Sequence, residues 1–267
     1  MKQPGRFLFA MAVVISLCWL VPIYLIGISA LGPREAATAW PKSLLPGTLS
    51  LDTLAFFVQF TGVWQAVMNS VIVALLTMLM AVGLGAPAGY ALARFDFKGQ
   101  DLYRVLIVMT RAFPLAILAL PLVTRFIDVG LYDTHLGVAL VHTALALPFA
   151  ILVSSSLFMA IPRELEEASW TLGCNRLQGF IRIVAPLALP GLAAAMVFSF
   201  VVSWNEVFAA SVLTLKQRTL TAYLFASLEE SPLHFRFAGG FFLILPSLLF
   251  IFAVRKYLFS MWGIANR

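Results

Sequence analysis

The residues able to do chemistry gather in one stretch. Between Ile161 and Pro190 stand Arg163, Glu164, Glu166, Glu167, Arg176 and Arg182, the longest charged run in a very apolar chain. Pro162 suits a first helical position, where its missing N–H would be unpaired anyway. Three carboxylates then crowd the first turn, where the helix dipole favours negative charge by about 0.3–1 kcal/mol each. Gly173 is the expected stop, free to take the left-handed conformation that ends a helix. Asn175 with Gln178 three residues on reads as a capping box opening a second short helix. Pro186 and Pro190 are expected to limit that helix before the next apolar run. The spacing predicts a compact helix–turn–helix, a shape for docking rather than for catalysis.

Reactive constellations are missing elsewhere. No G-x-x-x-x-G-K-[ST] occurs, so the chain has no P-loop for ATP. His135, His142 and His234 have no Cys or carboxylate at metal-ligand spacing, which argues against zinc. Ser154, Ser155 and Ser156 lack the G-x-S-x-G context of a nucleophile. An enzyme is not expected, nor a cofactor or metal held by this chain. Two ionisable residues fall within apolar runs, where such groups are costly and face a cavity or a partner. Arg111 lies about 10 Å past Arg104 and Glu206 about 22 Å past Gly191, at 1.5 Å per helical residue. That offset argues against a direct pair. Arg111 sits where its side chain can snorkel to the surface. For Glu206 with Asn205, lining a path and structural hydrogen bonding both stay open.

The elements that must position these residues are membrane spans. The chain has 267 residues, 61% hydrophobic and 11% charged, against about 25% charged in soluble domains. Its net charge of +6 is scattered at the ends of apolar runs, which suits orientation in a membrane rather than nucleic-acid binding. Cys18 and Cys174 fall at different depths, so no disulfide framework follows. Hydropathy predicts an all-α integral membrane protein of six spans: Phe7–Leu31, Trp64–Ala93, Val105–Thr124 interrupted by Arg111 and Pro114, Leu136–Ala160, Gly191–Leu213 and Phe237–Val254. Leu54–Phe60 is expected to form a short interfacial helix, and Thr214–Arg236 an outer loop. Gly85 and Gly89 form a small-xxx-small pair read as close helix packing. Of the 18 basic residues, eleven fall at the end of the charged loop, six at the other end, and Arg111 between. That excess places both termini in the cytoplasm.

The charged stretch resembles the EAA loop of ABC-importer permeases, E-A-A, three residues, Gly, nine residues, Ile, one residue, Leu-Pro. Here the pattern reads Glu167, Ala168, Ser169, then Gly173, Ile183 and Ala185-Pro186. Ser169 stands for the second Ala, Ala185 for the Leu, and Leu172 where many sugar permeases carry Asp. The resemblance widens to carbohydrate permeases of the maltose and trehalose type. It runs through Asn69-Ser70, Tyr90-Ala91-Leu92-Ala93-Arg94, Phe113-Pro114, Gly130-Leu131-Tyr132-Asp133-Thr134, Leu147-Pro148-Phe149, Ile161-Pro162 and Trp204-Asn205-Glu206, in order. It is weakest in Thr214–Arg236.

The resemblance implies a type I importer: two permeases, different chains as is usual for carbohydrate systems of this type, an ATPase dimer and an external solute-binding protein, in the inner membrane of a bacterium. ATP and Mg would sit on the partner ATPase. It implies a domain layout of an N-terminal span 1–31, an external loop 32–62, a transport core 63–259 containing the EAA loop 161–190, and a cytoplasmic tail 260–267. Glu164, Glu167, Ala168, Ser169, Leu172 and Gly173 are the implied ATPase-coupling residues. Asn205, Glu206, Trp204 and Phe113 are candidates for the substrate path, with membrane-core packing the competing reading of the aromatics. A sugar is the implied solute. Polyols, glycerol phosphate and sugar derivatives are the alternatives, and an ion-driven secondary transporter is the rival from another class.

Overall fold

The computed structural model describes residues 5–41, 44–45 and 47–261. Lys42 and residues 262–267, which closes the expected tail, lie outside the described residues. Among the described residues the regular structure is helical throughout: α1 Arg6–Ala30, α2 Asp52–Gln59, α3 Val63–Arg94, α4 Gln100–Met109, α5 Leu115–Asp128, α6 His135–Ala160, α7 Arg163–Thr171, α8 Arg176–Gly179, α9 Ala185–Asn205, α10 Phe208–Leu213, α11 Leu220–Ala226 and α12 Leu233–Met261. Among the described residues four runs are long and apolar enough to cross a membrane alone, namely Phe7–Ala30, Val63–Arg94, His135–Ala160 and Arg176–Asn205. The pair α4 and α5 makes a fifth if taken as one broken span, and α12 carries a shorter apolar stretch, Leu233–Leu249. Six crossings are compatible with this arrangement.

Three differences from the sequence reading have physical causes. The third span is not a straight helix interrupted by a proline; its two halves meet at 84°. Pro114 has no N–H to continue the helix and pushes Phe113 into extended backbone, φ −76° and ψ 121°. The fifth span is displaced toward the charged loop. Pro186 and Pro190 do not limit α8, because a π-helical turn, Phe180–Val184, joins it to α9. The Ala185 N–H reaches back five residues to Phe180 O, a wider turn that carries the chain into Pro186 unbroken. The span therefore ends at Asn205, not Leu213, and a separate α10 follows. Finally, Thr214–Arg236 is not merely a loop, since it contains α11 and the start of α12.

One unit comprises the residues up to Trp64 together with Leu224–Pro246. Phe57 is fully buried there, with its ring 4.8 Å from Phe235 and 5.1 Å from Phe242, and the Arg34 guanidinium lies 4.6 Å over Phe56. The other unit, Gln65–Tyr223 with the residues from Ser247, carries all the candidate site residues. Within it α6 packs along α9, and α3 lies against α6 with no spare room. A Cβ at Gly85 would stand 2.8 Å from Ala150 Cβ, and one at Gly89 2.7 Å from Ile151 O. The two glycines are packing residues, as their spacing suggests.

Candidate coupling site

The charged loop folds as its local signals predict. Gly173 takes φ +91°, and the Cys174 N–H donates to Ser169 O at 3.0 Å while the Gly173 N–H donates to Trp170 O at 3.0 Å. Those two bonds satisfy carbonyls that the end of α7 would otherwise leave open. Asn175 Oδ1 accepts from the Gln178 N–H at 2.8 Å, and Gln178 Oε1 accepts from the Asn175 N–H at 3.0 Å. The capping box is thus complete on both sides, and α8 starts where the sequence places it. The turn is pulled tight, because a Cβ on Gly179 would lie 2.7 Å from Ser169 Oγ.

Helix α7 has two unlike faces. Glu166 and Ser169, three residues apart, are buried, whereas Glu164, Leu165, Glu167, Ala168 and Leu172 are exposed. Glu166 is the residue that fixes α7 to the rest of the unit. Its Oε1 accepts from Arg94 Nε, its Oε2 accepts from the Tyr90 hydroxyl at 2.6 Å, and both members of the ion pair are buried. Arg94 also donates to Ile161 O at 3.0 Å, and Arg163 returns a bond to Ala93 O at 3.3 Å. The end of α3 and the start of α7 are therefore tied by charge-assisted bonds in both directions. Of the expected coupling residues, Glu164, Glu167, Ala168, Leu172 and Gly173 lie on the open side. Ser169 faces inward, its hydroxyl on Glu166 O at 2.6 Å.

The path candidates do not form one cluster. Phe113 stands on the α4–α5 corner, 56% exposed, beside a cleft of about 370 Å³ that Phe126, Val141 and Leu145 also line. Trp204 is 2% exposed and stacks near Phe200, so it is core. Asn205 turns its amide back to Val201 O at 2.9 Å and toward Ser247 Oγ at 3.5 Å. Glu206 lies just past the end of α9 rather than deep within a span. Its Oε1 accepts from the Phe208 and Ala209 N–H groups at 2.9 and 3.1 Å, and its Oε2 contacts His142 Nε2 at 3.0 Å. His142, fully buried, also meets Ser203 Oγ at 2.8 Å. Arg111 is exposed at the broken corner and makes no pair with Glu206.

A second polar network closes the far end of α3. Asn69 donates to Arg218 O at 3.0 Å and its carbonyl oxygen meets His135 Nε2 at 2.8 Å, while Ser70 Oγ accepts from the Leu220 N–H at 2.7 Å. Asp133, in the α5–α6 turn, accepts at Oδ1 from the N–H groups of Leu215, Lys216 and Gln217 at 2.9, 3.0 and 2.9 Å. Burial pushes its carboxyl up, but those three N–H donors with Lys216 outweigh burial and hold it below its ordinary value. Glu166, Arg94, Tyr90, His142 and Asp133 are the residues that sequence reasoning leaves unassigned. Tyr90, Arg94 and Asp133 do fall within quoted motifs, yet Arg94 is 72 positions from Glu166 and Asp133 is 84 from Gln217, so spacing cannot show the partners.

Breaking a buried ion pair by removing one member leaves an unpaired charge and costs about 3–5 kcal/mol. Arg94→Met is therefore expected to lower the melting temperature of the detergent-solubilised protein sharply, and adding Glu166→Gln to recover more than half of the loss. Equal melting of wild type and both variants would show that the pair does not hold α7.

Residues 81–260 match the family described as binding-protein-dependent transport system inner membrane component. The chain is 31% identical over 243 residues to the trehalose transport system permease protein SugB of Mycobacterium tuberculosis, covering 89% of this chain and 88% of that one. It is 31% identical over 169 residues to the diacetylchitobiose uptake system permease protein NgcG of Streptomyces coelicolor, covering 61% of this chain and 56% of that one. Its fold matches a chain in the crystal structure of a bacterial ABC transporter involved in the import of the acidic polysaccharide alginate, with a TM-score of 0.74, 22% identity, and 96% of this chain and 99% of that chain covered. The chain belongs to the family of binding-protein-dependent transport system inner membrane components.

Proposed function

We propose that this chain is the membrane-spanning permease subunit of an ATP-driven sugar importer, and that α7 is the element through which a partner ATPase drives it. The observation that carries this reading is the two-faced α7. One face is clamped to α3 by the buried Glu166–Arg94 pair, and the other presents Glu164, Leu165, Glu167, Ala168 and Leu172 to a partner. A sugar is supported by the relatives, which include permeases named for trehalose and for diacetylchitobiose. ATP and Mg belong on the ATPase dimer, and a second permease, a different chain, together with an external solute-binding protein completes the assembly. The chain is a multi-pass membrane protein, and the basic excess at the α7 end supports both termini in the cytoplasm.

The mechanism follows from the contacts. Closure of the ATPases pushes α7 along the membrane surface. Because Glu166 is bonded to Arg94 and Tyr90, the push passes to α3 rather than bending the loop. Gly85 and Gly89 then hand it to α6 without slack, and α9 follows through its packing on α6. The spans rock as bodies, exposing the path alternately on each side. Asn205 and Phe113 remain the path candidates whose side chains are exposed. Glu206 is structural in this reading: its oxygens cap α10 and hold His142, and Trp204 serves as core beside it.

Gly173→Val puts a β-branched residue at φ +91°, a conformation that strongly disfavours one. It should insert into the membrane normally, fail to co-purify with its ATPase and lose transport at least tenfold. Normal association and transport by this variant would show that α7 is not the coupling element.

Glu206 separates the two roles left open by its sequence position. Glu206→Leu orphans three N–H groups of α10, those of Phe208, Ala209 and Ala210, the latter two part-buried, and an unsatisfied buried donor costs about 1–3 kcal/mol, so the yield of intact complex should fall. Glu206→Gln retains an accepting oxygen and should transport within twofold of wild type. A well-assembled Glu206→Gln complex with lost or altered solute uptake would return this residue to the path.

A further inference from the structure

We propose that Arg111 is a specificity-determining residue of the transport path: its guanidinium binds an oxyanion group on the solute, so the sugar carried is acidic, an inference that rests on the importer reading above. Along the sequence Arg111 falls only about 10 Å past Arg104, within snorkelling range of the inner surface. The structure places it deeper. Ile107, four residues earlier, is buried in one cluster with Leu92 and Ile151, and Ile151 is already about 13 Å along α6 from Ala160. Thr110 and Phe113, on either side of Arg111, line one cleft with Leu140, Val141, Ala144 and Leu145 of α6. Those α6 residues lie about 22–30 Å from the α7 end at Ala160 and about 7–15 Å from the opposite end at His135. Arg111 thus stands within the hydrocarbon layer, in a run from Val105 to Thr124 that holds no other charge.

Nothing in the chain neutralises it. A guanidinium stays protonated, and a charge at this depth faces water or an opposite charge. Among the described residues Arg111 enters no ion pair and its side chain makes no hydrogen bond. The carboxylates of α4, of α5 and past the end of α9 are committed elsewhere: Asp101 to Arg104, Asp128 to Arg125, and Glu206 to His142 and the N–H groups that open α10. The 84° corner meanwhile leaves Arg111, Ala112, Phe113 and Pro114 exposed. Non-helical backbone at membrane depth persists only where protein covers it or where it lines a water-filled cavity. A guanidinium fork matches a carboxylate or a phosphate in two parallel bonds. The Phe113 ring, 56% exposed two residues on, offers its face to the apolar side of a sugar ring, and the adjoining cleft of about 370 Å³ has the size of a small-ligand site. A neutral sugar would leave the cation uncompensated; an acidic one completes it.

The test is uptake by the complete complex in proteoliposomes with its own binding protein. The neutral probes are trehalose and diacetylchitobiose; the acidic ones are glucuronate, digalacturonate, glucose 6-phosphate and trehalose 6-phosphate. At least one acidic probe is expected to enter with ATP hydrolysis, the uronates and the phosphates telling which oxyanion is bound. Arg111→Gln should lower that uptake at least tenfold while the amount of complex co-purifying with its ATPase stays within twofold of wild type. Uptake of neutral probes alone, refusal of every acidic probe, or wild-type uptake of the acidic probe by Arg111→Gln would each overturn the proposal. Should Arg111→Gln fail to assemble, Arg111→Lys decides, because it keeps the charge and loses the fork. Reduced acidic uptake by an assembled Arg111→Lys complex would support the proposal, whereas wild-type uptake, or failed assembly from a lost pair with the second permease, would overturn it. Uptake of any probe that persists without ATP would instead overturn the importer reading itself.

Discussion

The placement of α7 against α3 depends on one buried ion pair, Arg94 with Glu166. A charge removed from water needs an opposite charge and well-aimed hydrogen bonds, or it does not stay charged. Here the carboxylate takes a guanidinium and a phenol, and the guanidinium takes a backbone carbonyl besides. The arrangement contributes little net stability against an apolar substitute, but it permits one geometry only. That property suits the coupling role proposed for α7.

A second constraint comes from the bilayer, where every interruption of a helix must have its backbone groups satisfied. Among the described residues the helical path breaks at Pro114 within a span, at Gly173 in the surface loop and at Glu206 where a span ends. At Pro114 the chain loses an N–H and turns through 84°. At Gly173 two backbone bonds close the end of α7. At Glu206 a carboxylate caps the helix that follows and binds a histidine from α6. Proline inside α3, α6 and α9 is tolerated by contrast, because the helices around them continue and the π turn before Pro186 absorbs the mismatch. Of these breaks, the one at Glu206 is where a side chain from a distant part of the chain, His142, is brought in.

This pattern explains what was legible in the sequence. The spans α1, α3 and α6 follow hydropathy within a residue or two, because length and polarity alone decide them. The turn at Gly173 and the capping box at Asn175 were legible because their bonds span no more than a few residues. The face of α7 was not. Glu164, Glu166 and Glu167 look alike in sequence, and only the distant Arg94 decides which one turns inward. Hydropathy places Glu206 too deep for a related reason. Read as breakers, Pro186 and Pro190 start the fifth span too late and carry its end past Asn205. A π turn leaves no mark in hydropathy.

The proposed coupling requires α7 to move as one body with the end of α3. Spin labels at Leu165 on α7 and at Phe97, three residues past the end of α3, both exposed, measure this in the assembled complex after Cys18 and Cys174 are replaced. The same narrow distance distribution is expected in the nucleotide-free and ATP-bound states. A shift or a broadening of that distribution on ATP binding would contradict it, because α7 would then move on its own.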